Sequence, residues 1–168
     1  MVSYIDLSYK QIYFFIIKKS IYLLQMESVP YDKRTGKIWF NGKAVDWKDA
    51  NIHILNHGLH YASCVFEGER VYDGEIFKLA EHTDRLFYSA KRMGIKVPYS
   101  QMEINEACKS IVKIQNVQNG YVRPLIWRGS EMMAISAQKN KIHVAIATWE
   151  WGSYFDPKLK LNGIKLNI

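Results

Sequence analysis

The stretch CVFEGERVYDGEIFKLAEHTDRLFYSAKRMG, residues 64–94, carries the two patterns that decide the fold. Its first part reads as a strand up to Tyr72, turns at Asp73-Gly74 and returns through Glu75-Ile-Phe77, which predicts a β-hairpin. Its second part carries apolar residues at helical spacing from Leu79 and stops at Gly94, a residue suited to the end of a helix. The stretch therefore predicts a hairpin followed directly by a helix.

The sequence on either side extends this pattern. Upstream, residues 37–45 predict a second hairpin around Asn41-Gly42. Downstream, Ser100 and Glu103 form a capping box that begins a second helix, and residues 121–127 and 142–148 read as strands. Strands and helices in this order predict an α+β fold, an antiparallel or mixed sheet with two helices on one face.

Composition excludes several classes of protein. The chain has 168 residues, 48% of them hydrophobic and 23% charged, which is typical of one globular domain and not of a disordered segment. The net charge of +7 is spread singly along the chain, so we expect no nucleic-acid binding. Two cysteines make no disulfide framework and favour a reducing compartment. The common nucleotide-binding, hydrolase and zincin motifs are absent.

The two ends differ from the middle. Residues 1–25 form an atypical extension whose apolar run, Ile12–Ile17, is far shorter than the roughly 20 residues of a membrane span. The extension does not read as a secretory signal, because its lysines follow the apolar run. An amphipathic anchor is the alternative to an extension without function, and we expect Met26 to be the natural start. We assign residues 26–148 to the small α+β domain and 149–162 to a connector, and the alternation in 163–168 predicts a further strand.

Two strands carry the candidate binding residues. The period of two places Phe66, Gly68, Arg70 and Tyr72 on one face of the first strand. A glycine inside a strand marks close approach by a ligand or, equally, a bulge or packing contact. Tyr121 and Arg123 share a face of another strand, and such a pair can bind a carboxylate or form a surface stack. Pro124 predicts that this strand lies at an edge or is bulged.

Other polar residues have simpler explanations. Arg85 lies four residues after Glu81, which predicts an ion pair within the helix. His57, His60 and Cys64 would share one face of a helix and could bind zinc. No fourth ligand lies at a motif spacing, so we predict no metal site.

Four segments together resemble a known family. HGLHYASCVFEGER (57–70), FKLAEHTDRL (77–86), YVRP (121–124) and WEWGSY (149–154) are similar to the N-terminal domain of branched-chain amino acid aminotransferases. These are class IV, or fold-type IV, enzymes that use pyridoxal 5'-phosphate. The resemblance runs in unbroken order from about Lys37 to Ile168, which makes it more specific than any single motif.

The resemblance implies roles for individual residues. Arg85 would hold the cofactor phosphate, and Arg123 with Tyr121 would meet the substrate, Arg123 holding the side-chain carboxylate of glutamate or 2-oxoglutarate. The other implied site residues are Phe66 and Gly68 lining the pocket, Tyr61 reaching the neighbouring subunit's site, Trp151 and Tyr154 as an apolar wall, and Met132 to Ile135 as a loop lent to the partner.

The resemblance also implies a missing part. In the family, the catalytic lysine and the acidic partner of the pyridine nitrogen lie in a larger domain that follows the strand at 163–168, and Lys158, Lys160 and Lys165 do not match the lysine motif. We therefore expect a truncated branched-chain transaminase that is inactive alone and retains its cofactor weakly. The family implies amino and 2-oxo acid substrates, a dimer or higher homo-oligomer, and a cytoplasmic location away from membranes. The alternative is a non-catalytic fragment that acts only as a dimerisation or interaction module.

Overall fold

The computed structural model describes residues 29–152, 161 and 163. The chain divides into two compact units, Met1–Arg34 and Thr35–Ile168. The described part of the first unit contains one 3₁₀ turn, Tyr31–Lys33. The extension at 1–25, Tyr154 and nearly all of the predicted strand at 163–168 lie outside the described residues, so those predictions remain open.

The second unit is built on one antiparallel sheet. Its strands are β1 (Lys37–Phe40), β2 (Lys43–Asp46), β3 (Cys64–Phe66), β4 (Glu69–Tyr72), β5 (Glu75–Ile76), β6 (Gly120–Arg128) and β7 (Ile142–Glu150). They lie in the order β2-β1-β7-β6-β4-β5, with β3 also paired to β6. Every recorded pair is antiparallel, which confirms the antiparallel form of the predicted sheet.

Both predicted hairpins have the backbone that their turn residues require. Asn41 and Gly42 have φ of 49° and 95°, and Asp73 and Gly74 have φ of 49° and 81°. Two successive positive φ values are typical of the type I′ turn that matches strand twist.

The two long helices also follow the sequence signals, and a third, short helix was not predicted. The short helix is α1 (His57–Tyr61), the long ones are α2 (Leu79–Arg92) and α3 (Gln101–Ile114), and a 3₁₀ turn lies at Trp47–Asp49. Past the end of α2, Gly94 has a φ of +63°. The capping box of Ser100 and Glu103 begins α3 as predicted. In the described residues, no helix is long and apolar enough to cross a membrane.

The core lies between the sheet and the two long helices. Alternate residues of the strands meet one face of each helix, which confirms the predicted α+β architecture. The buried cluster contains Val71, Val122, Ile126, Val144 and Ile146 from the strands and Leu86, Ala90, Ile104, Cys108 and Ile111 from the helices. The other face of the sheet, here called the open face, carries Tyr121 and Arg123 on β6.

Pro124 interrupts the sheet in a way that the sequence did not predict. β6 is a central strand with β7 on one side and β3 and β4 on the other, so the predicted edge position is wrong. The interruption falls on the partner, where β3 ends at Phe66 and β4 begins at Glu69. The register is the same on both sides of this gap, so there is no bulge. A proline removes only one donor, and the sheet absorbs that loss by a local break.

Candidate active site

Gly68 and Tyr121 meet on the open face. A Cβ added to Gly68 would overlap the hydroxyl oxygen of Tyr121 and would lie 2.6 Å from its Cζ atom. The room above this glycine is therefore filled by the phenol of Tyr121. Packing by a neighbouring side chain accounts for the glycine, and the side chain that packs there is itself one of the predicted site residues.

Arg123 is held between aromatic rings with one donor unused. Its Nη2 donates to the hydroxyl of Tyr121 at 3.1 Å, and its Cζ lies 4.2 Å from the centroid of the Phe66 ring. Its Nε is buried and has no hydrogen-bond partner among the described residues. A buried donor without a partner is costly, and a carboxylate is the acceptor that the planar guanidinium matches best. The geometry is suited to binding an acidic group.

Two tryptophans extend this cluster. Trp149 on β7 lies opposite Tyr121 in the sheet, with 5.3 Å between ring centroids. Trp151 lies 5.0 Å from Tyr121 and stacks on Trp149 at 5.8 Å. The structure thus brings Phe66, Gly68, Tyr121, Arg123 and Trp151 together, while Tyr154 lies outside the described residues.

Arg85 lies apart from this cluster, on the helix side of the sheet. Its Nε donates to Oε1 of Glu67 at 2.6 Å, and its Nη2 donates to Oε2 at 2.7 Å. The predicted pair with Glu81 is wrong, since Glu81 instead binds Lys78 at 2.7 Å. Arg85 binds Glu67 instead because this carboxylate, in the break between β3 and β4, offers a bidentate geometry, which is stronger than a single contact along the helix.

Glu67 is a buried carboxylate with three donors. His82 Nδ1 lies 2.9 Å from Oε2, in addition to the two bonds from Arg85. Burial raises the pKa of Glu67, but the hydrogen bonds and positive charge of Arg85 and His82 outweigh it and bring the pKa below its usual value. The side chain is therefore ionised at neutral pH.

Tyr61 and His57 hold the loop at 132–135. The Tyr61 hydroxyl donates to the carbonyl of Met133 at 3.0 Å, and its ring stacks on His57 at 4.5 Å. His57 Nε2 lies 3.1 Å from the carbonyl of Ala134, while Nδ1 lies 2.6 Å from the Ser63 hydroxyl. A carbonyl only accepts, so Nε2 is the protonated nitrogen. The predicted loop is therefore attached to α1 of its own chain.

The three residues considered for zinc, His57, His60 and Cys64, do not form a common site, because both histidines make other hydrogen bonds and the cysteine lies in a strand. His57 contacts Ser63 and Ala134, His60 Nε2 donates to the carbonyl of Ile54 at 2.9 Å, and Cys64 begins β3. The described ranges contain no group of three or more His, Cys, Asp or Glu residues that could hold a metal ion.

Sequence reasoning missed the burial or the hydrogen-bond partners of three polar residues, Glu67, Glu69 and Asn140. Alternation put both glutamates on the same face as Val71, which was the available signal. Glu69 is fully buried, and neither of its carboxylate oxygens has a hydrogen-bond partner in the part of the chain that the structure describes. Burial, then the charge of Glu67, raises its pKa to about 8. Asn140 Nδ2 donates to the carbonyls of Gly129 and Met132 at 2.9 and 3.0 Å, a long-range role without a local signal.

Residues 64–167 match the family model described as "Amino-transferase class IV", and this match covers more than half of the chain. The chain belongs to the class IV aminotransferases. The segment that matches the family model includes both the cluster around Arg123 and the Glu67–Arg85 pair.

Named relatives of this class IV aminotransferase chain agree with one another. It is 47% identical over 137 residues to the branched-chain-amino-acid aminotransferase of Pseudomonas aeruginosa, covering 79% of this chain and 45% of that protein. It is 38% identical over 137 residues to the enzyme of that name from Escherichia coli K12, covering 79% and 44%.

Solved structures give the same result. The crystal structure of the Escherichia coli branched-chain amino acid aminotransferase has a TM-score of 0.70 at 38% identity, covering 74% of this chain and 43% of that one. The T.th. enzyme of that name, with pyridoxamine 5'-phosphate, has a TM-score of 0.70 at 36% identity, covering 74% and 43%. The class IV aminotransferase chain therefore spans less than half the length of these relatives.

Proposed function

We propose that the chain supplies the carboxylate-binding side of a branched-chain amino acid transaminase. That enzyme moves the amino group of leucine, isoleucine or valine to 2-oxoglutarate and forms glutamate and a branched 2-oxo acid. The observation that carries the proposal is the buried, unbonded Nε of Arg123 beside the Tyr121 hydroxyl. The names of the relatives above support the same activity.

The residues on the helix side of the sheet fit the pyridoxal phosphate of this family. Arg85 donates to Glu67 through Nε and Nη2, and its side chain is 64% exposed, so its outer N–H groups can meet an anion. When bound, pyridoxal phosphate supplies the electron sink for chemistry at the substrate Cα. Arg85 would hold its phosphate.

The residues on the open face divide the substrate between them. Arg123 and Tyr121 bind the side-chain carboxylate of glutamate or 2-oxoglutarate, and Phe66 and Gly68 line the same pocket. Trp151 and Tyr154 provide an apolar wall for the branched side chain. Tyr61 and the loop at 132–135 face the site of a neighbouring subunit in a homodimer or larger oligomer.

Turnover needs a lysine that holds the cofactor, and no lysine lines the described cleft beside Arg123. We propose that the chain alone is inactive and retains pyridoxal phosphate weakly. We also propose that it is located in the cytoplasm. Formation of glutamate from leucine and 2-oxoglutarate by the purified chain would contradict this.

Substrate binding tests the role of Arg123. We expect Arg123→Gln to weaken binding of 2-oxoglutarate by about tenfold or more, because a charge-assisted hydrogen bond to the second carboxylate is lost. Binding of 4-methyl-2-oxopentanoate, which lacks that carboxylate, should change little. Both affinities are measured by NMR titration.

Arg92→Gln is the matched control, since Arg92 is exposed at the end of α2, on the helical side of the sheet. This variant should leave both affinities unchanged. Equal weakening by the two substitutions would mean that diffuse charge attracts the acid, and the proposed site would be wrong.

A second candidate function is a non-catalytic interaction module. Its support is a group of exposed apolar side chains, Ile52, Ile54, Leu55 and Leu59, beside an open cleft of about 410 Å³. Apolar surface of this kind is typical of contact sites between proteins. Co-purification with an intact aminotransferase subunit, without effects of Arg123→Gln on substrate binding, would favour this candidate over the first.

A further inference from the structure

We propose that Glu67 is a positioning residue that holds the Arg85 guanidinium ready for the phosphate of pyridoxal phosphate. This inference rests on the proposed function, because Arg85 meets the phosphate only if the chain serves a pyridoxal phosphate enzyme. Glu67 itself would not touch the cofactor. It would act through Arg85.

The contrast in exposure between the two side chains supports this role. The Arg85 side chain is 64% exposed, whereas the Glu67 side chain is 6% exposed. A long arginine on the outside of a helix has many rotamers, and ordering it costs binding free energy when a ligand arrives. Two parallel hydrogen bonds to a buried carboxylate fix the guanidinium before that event.

Glu67 is well placed to act as an anchor, since it is fixed from several directions. Its backbone N–H donates to the carbonyl of Pro124 at 3.0 Å, across the break between β3 and β4. Its Oε2 atom also accepts from His82 Nδ1 at 2.9 Å. A carboxylate only accepts, so His82 is protonated at Nδ1. The sheet and helix α2 therefore both hold the anchor in place.

The fork between Arg85 and Glu67 leaves donors for a second anion. Nε and Nη2 are used by Glu67, and Nη2 also lies 3.3 Å from Nδ1 of His82. The Nη1 group makes no hydrogen bond to the described residues, and its two N–H donors belong to a side chain that is 64% exposed. A phosphate bound there would be repelled by the Glu67 charge and attracted by an oriented guanidinium. Water screens the repulsion at the exposed side, so we expect orientation to dominate.

The experiment compares pyridoxal phosphate with pyridoxal, which lacks the phosphate. Binding of each to the purified chain is measured by fluorescence titration, with ³¹P NMR of the bound phosphate as a second readout. We expect Glu67→Gln to weaken pyridoxal phosphate binding by about tenfold, typical of removing a residue that orients a ligand-binding group, and to leave pyridoxal binding unchanged. Glu81→Gln is the matched control, because Glu81 is an exposed glutamate on α2, the helix that carries Arg85. It should change the binding of neither compound.

Coupling to Arg85 separates positioning from a general structural effect. Arg85→Gln should remove the preference for the phosphate compound, and adding Glu67→Gln to it should cause no further loss. Arg85→Lys keeps the charge and leaves Glu67 intact but loses the fork, so it should lose most of the preference as well. This variant tests the inference even if Glu67→Gln does not fold.

Several outcomes would overturn the inference. If Arg85→Gln weakens binding but Glu67→Gln does not, or tightens it, Glu67 is no positioning residue although Arg85 still binds phosphate. Equal losses for pyridoxal and pyridoxal phosphate would show a structural role, and full binding by Arg85→Lys would show that charge alone suffices. If the unchanged chain has no preference for the phosphate compound and Arg85→Gln has no effect, the cofactor part of the proposed function fails as well.

Discussion

Glu69 is a single residue whose burial makes stability depend on pH. The side chain is fully buried, and both carboxylate oxygens lack hydrogen-bond partners within the described ranges. Burial, then the charge of Glu67, raises its pKa from 4.5 to about 8. The folded chain therefore keeps a proton between these pH values that the unfolded chain has released. Protonated Glu69 therefore stabilises the folded chain relative to the unfolded one. This contribution is complete below pH 4.5 and is lost as the pH rises towards 8.

Glu69→Gln tests this titration. We expect the free energy of unfolding of the unchanged chain to fall relative to that of the variant between pH 5 and 8, by up to about 3.5 kcal/mol, because the variant has no proton to lose. Urea unfolding at a series of pH values gives this difference. Glu75→Gln, an exposed glutamate on β5, should follow the unchanged chain. A difference independent of pH would mean that Glu69 does not titrate in this range.

At the scale of elements, the sequence predicted the features that depend on nearby residues but not the neighbours of each strand in the sheet. The Asn41-Gly42 and Asp73-Gly74 turns and the Ser100 capping box were predictable because their partners lie within a few residues. Pro124 was predicted to mark an edge, yet its strand is central, because the choice of neighbours is made by distant segments.

The same distinction applies to the candidate site. Alternation correctly placed Tyr121 and Arg123 on one face, since period-two order is local. The pairing of Arg85 with Glu67 was missed, because Glu81 lies at the spacing of a helical ion pair and no local signal shows that the break between β3 and β4 brings a carboxylate to the helix. Alternation likewise placed Glu69 on the helix-facing side, but it gave neither the depth of burial nor the absence of partners.

Asn140 fixes the loop between β6 and β7. Its Nδ2 donates to the carbonyls of Gly129 and Met132, and the residue is buried. We expect Asn140→Ala to lower the free energy of unfolding by about 2 kcal/mol, since two carbonyls lose a buried donor. Hydrogen exchange should increase mainly at residues 130–139, which include the loop that Tyr61 contacts.

Lys139→Ala is the control, because Lys139 is an exposed neighbour in the same loop. It should change stability by less than about 0.5 kcal/mol, as is usual for surface substitutions. Faster exchange spread evenly over the sheet in Asn140→Ala would instead mean that this asparagine stabilises the whole unit.

At the scale of the whole molecule, one group of exposed apolar side chains lies beside the open cleft. Leu59 on α1 is 60% exposed and lines the open cleft of about 410 Å³. Its neighbours Ile52, Ile54 and Leu55 are also exposed. Met102 on α3, with 74% exposure, is one of several exposed apolar side chains on the opposite, helical side, with Tyr88 and Ile114. If a second copy of the chain covers the cleft, only the first of these two surfaces is needed for association.

Leu59→Asp therefore tests self-association. Burying a leucine contributes about 1.5–3 kcal/mol, so replacing it with a charge should raise the dissociation constant of the proposed dimer by more than about tenfold. Sedimentation equilibrium over a range of protein concentrations measures that constant. Met102→Asp introduces the same charge on the helical side and should leave the constant unchanged. Equal effects of the two substitutions would mean that net charge, and not the surface around Leu59, governs association.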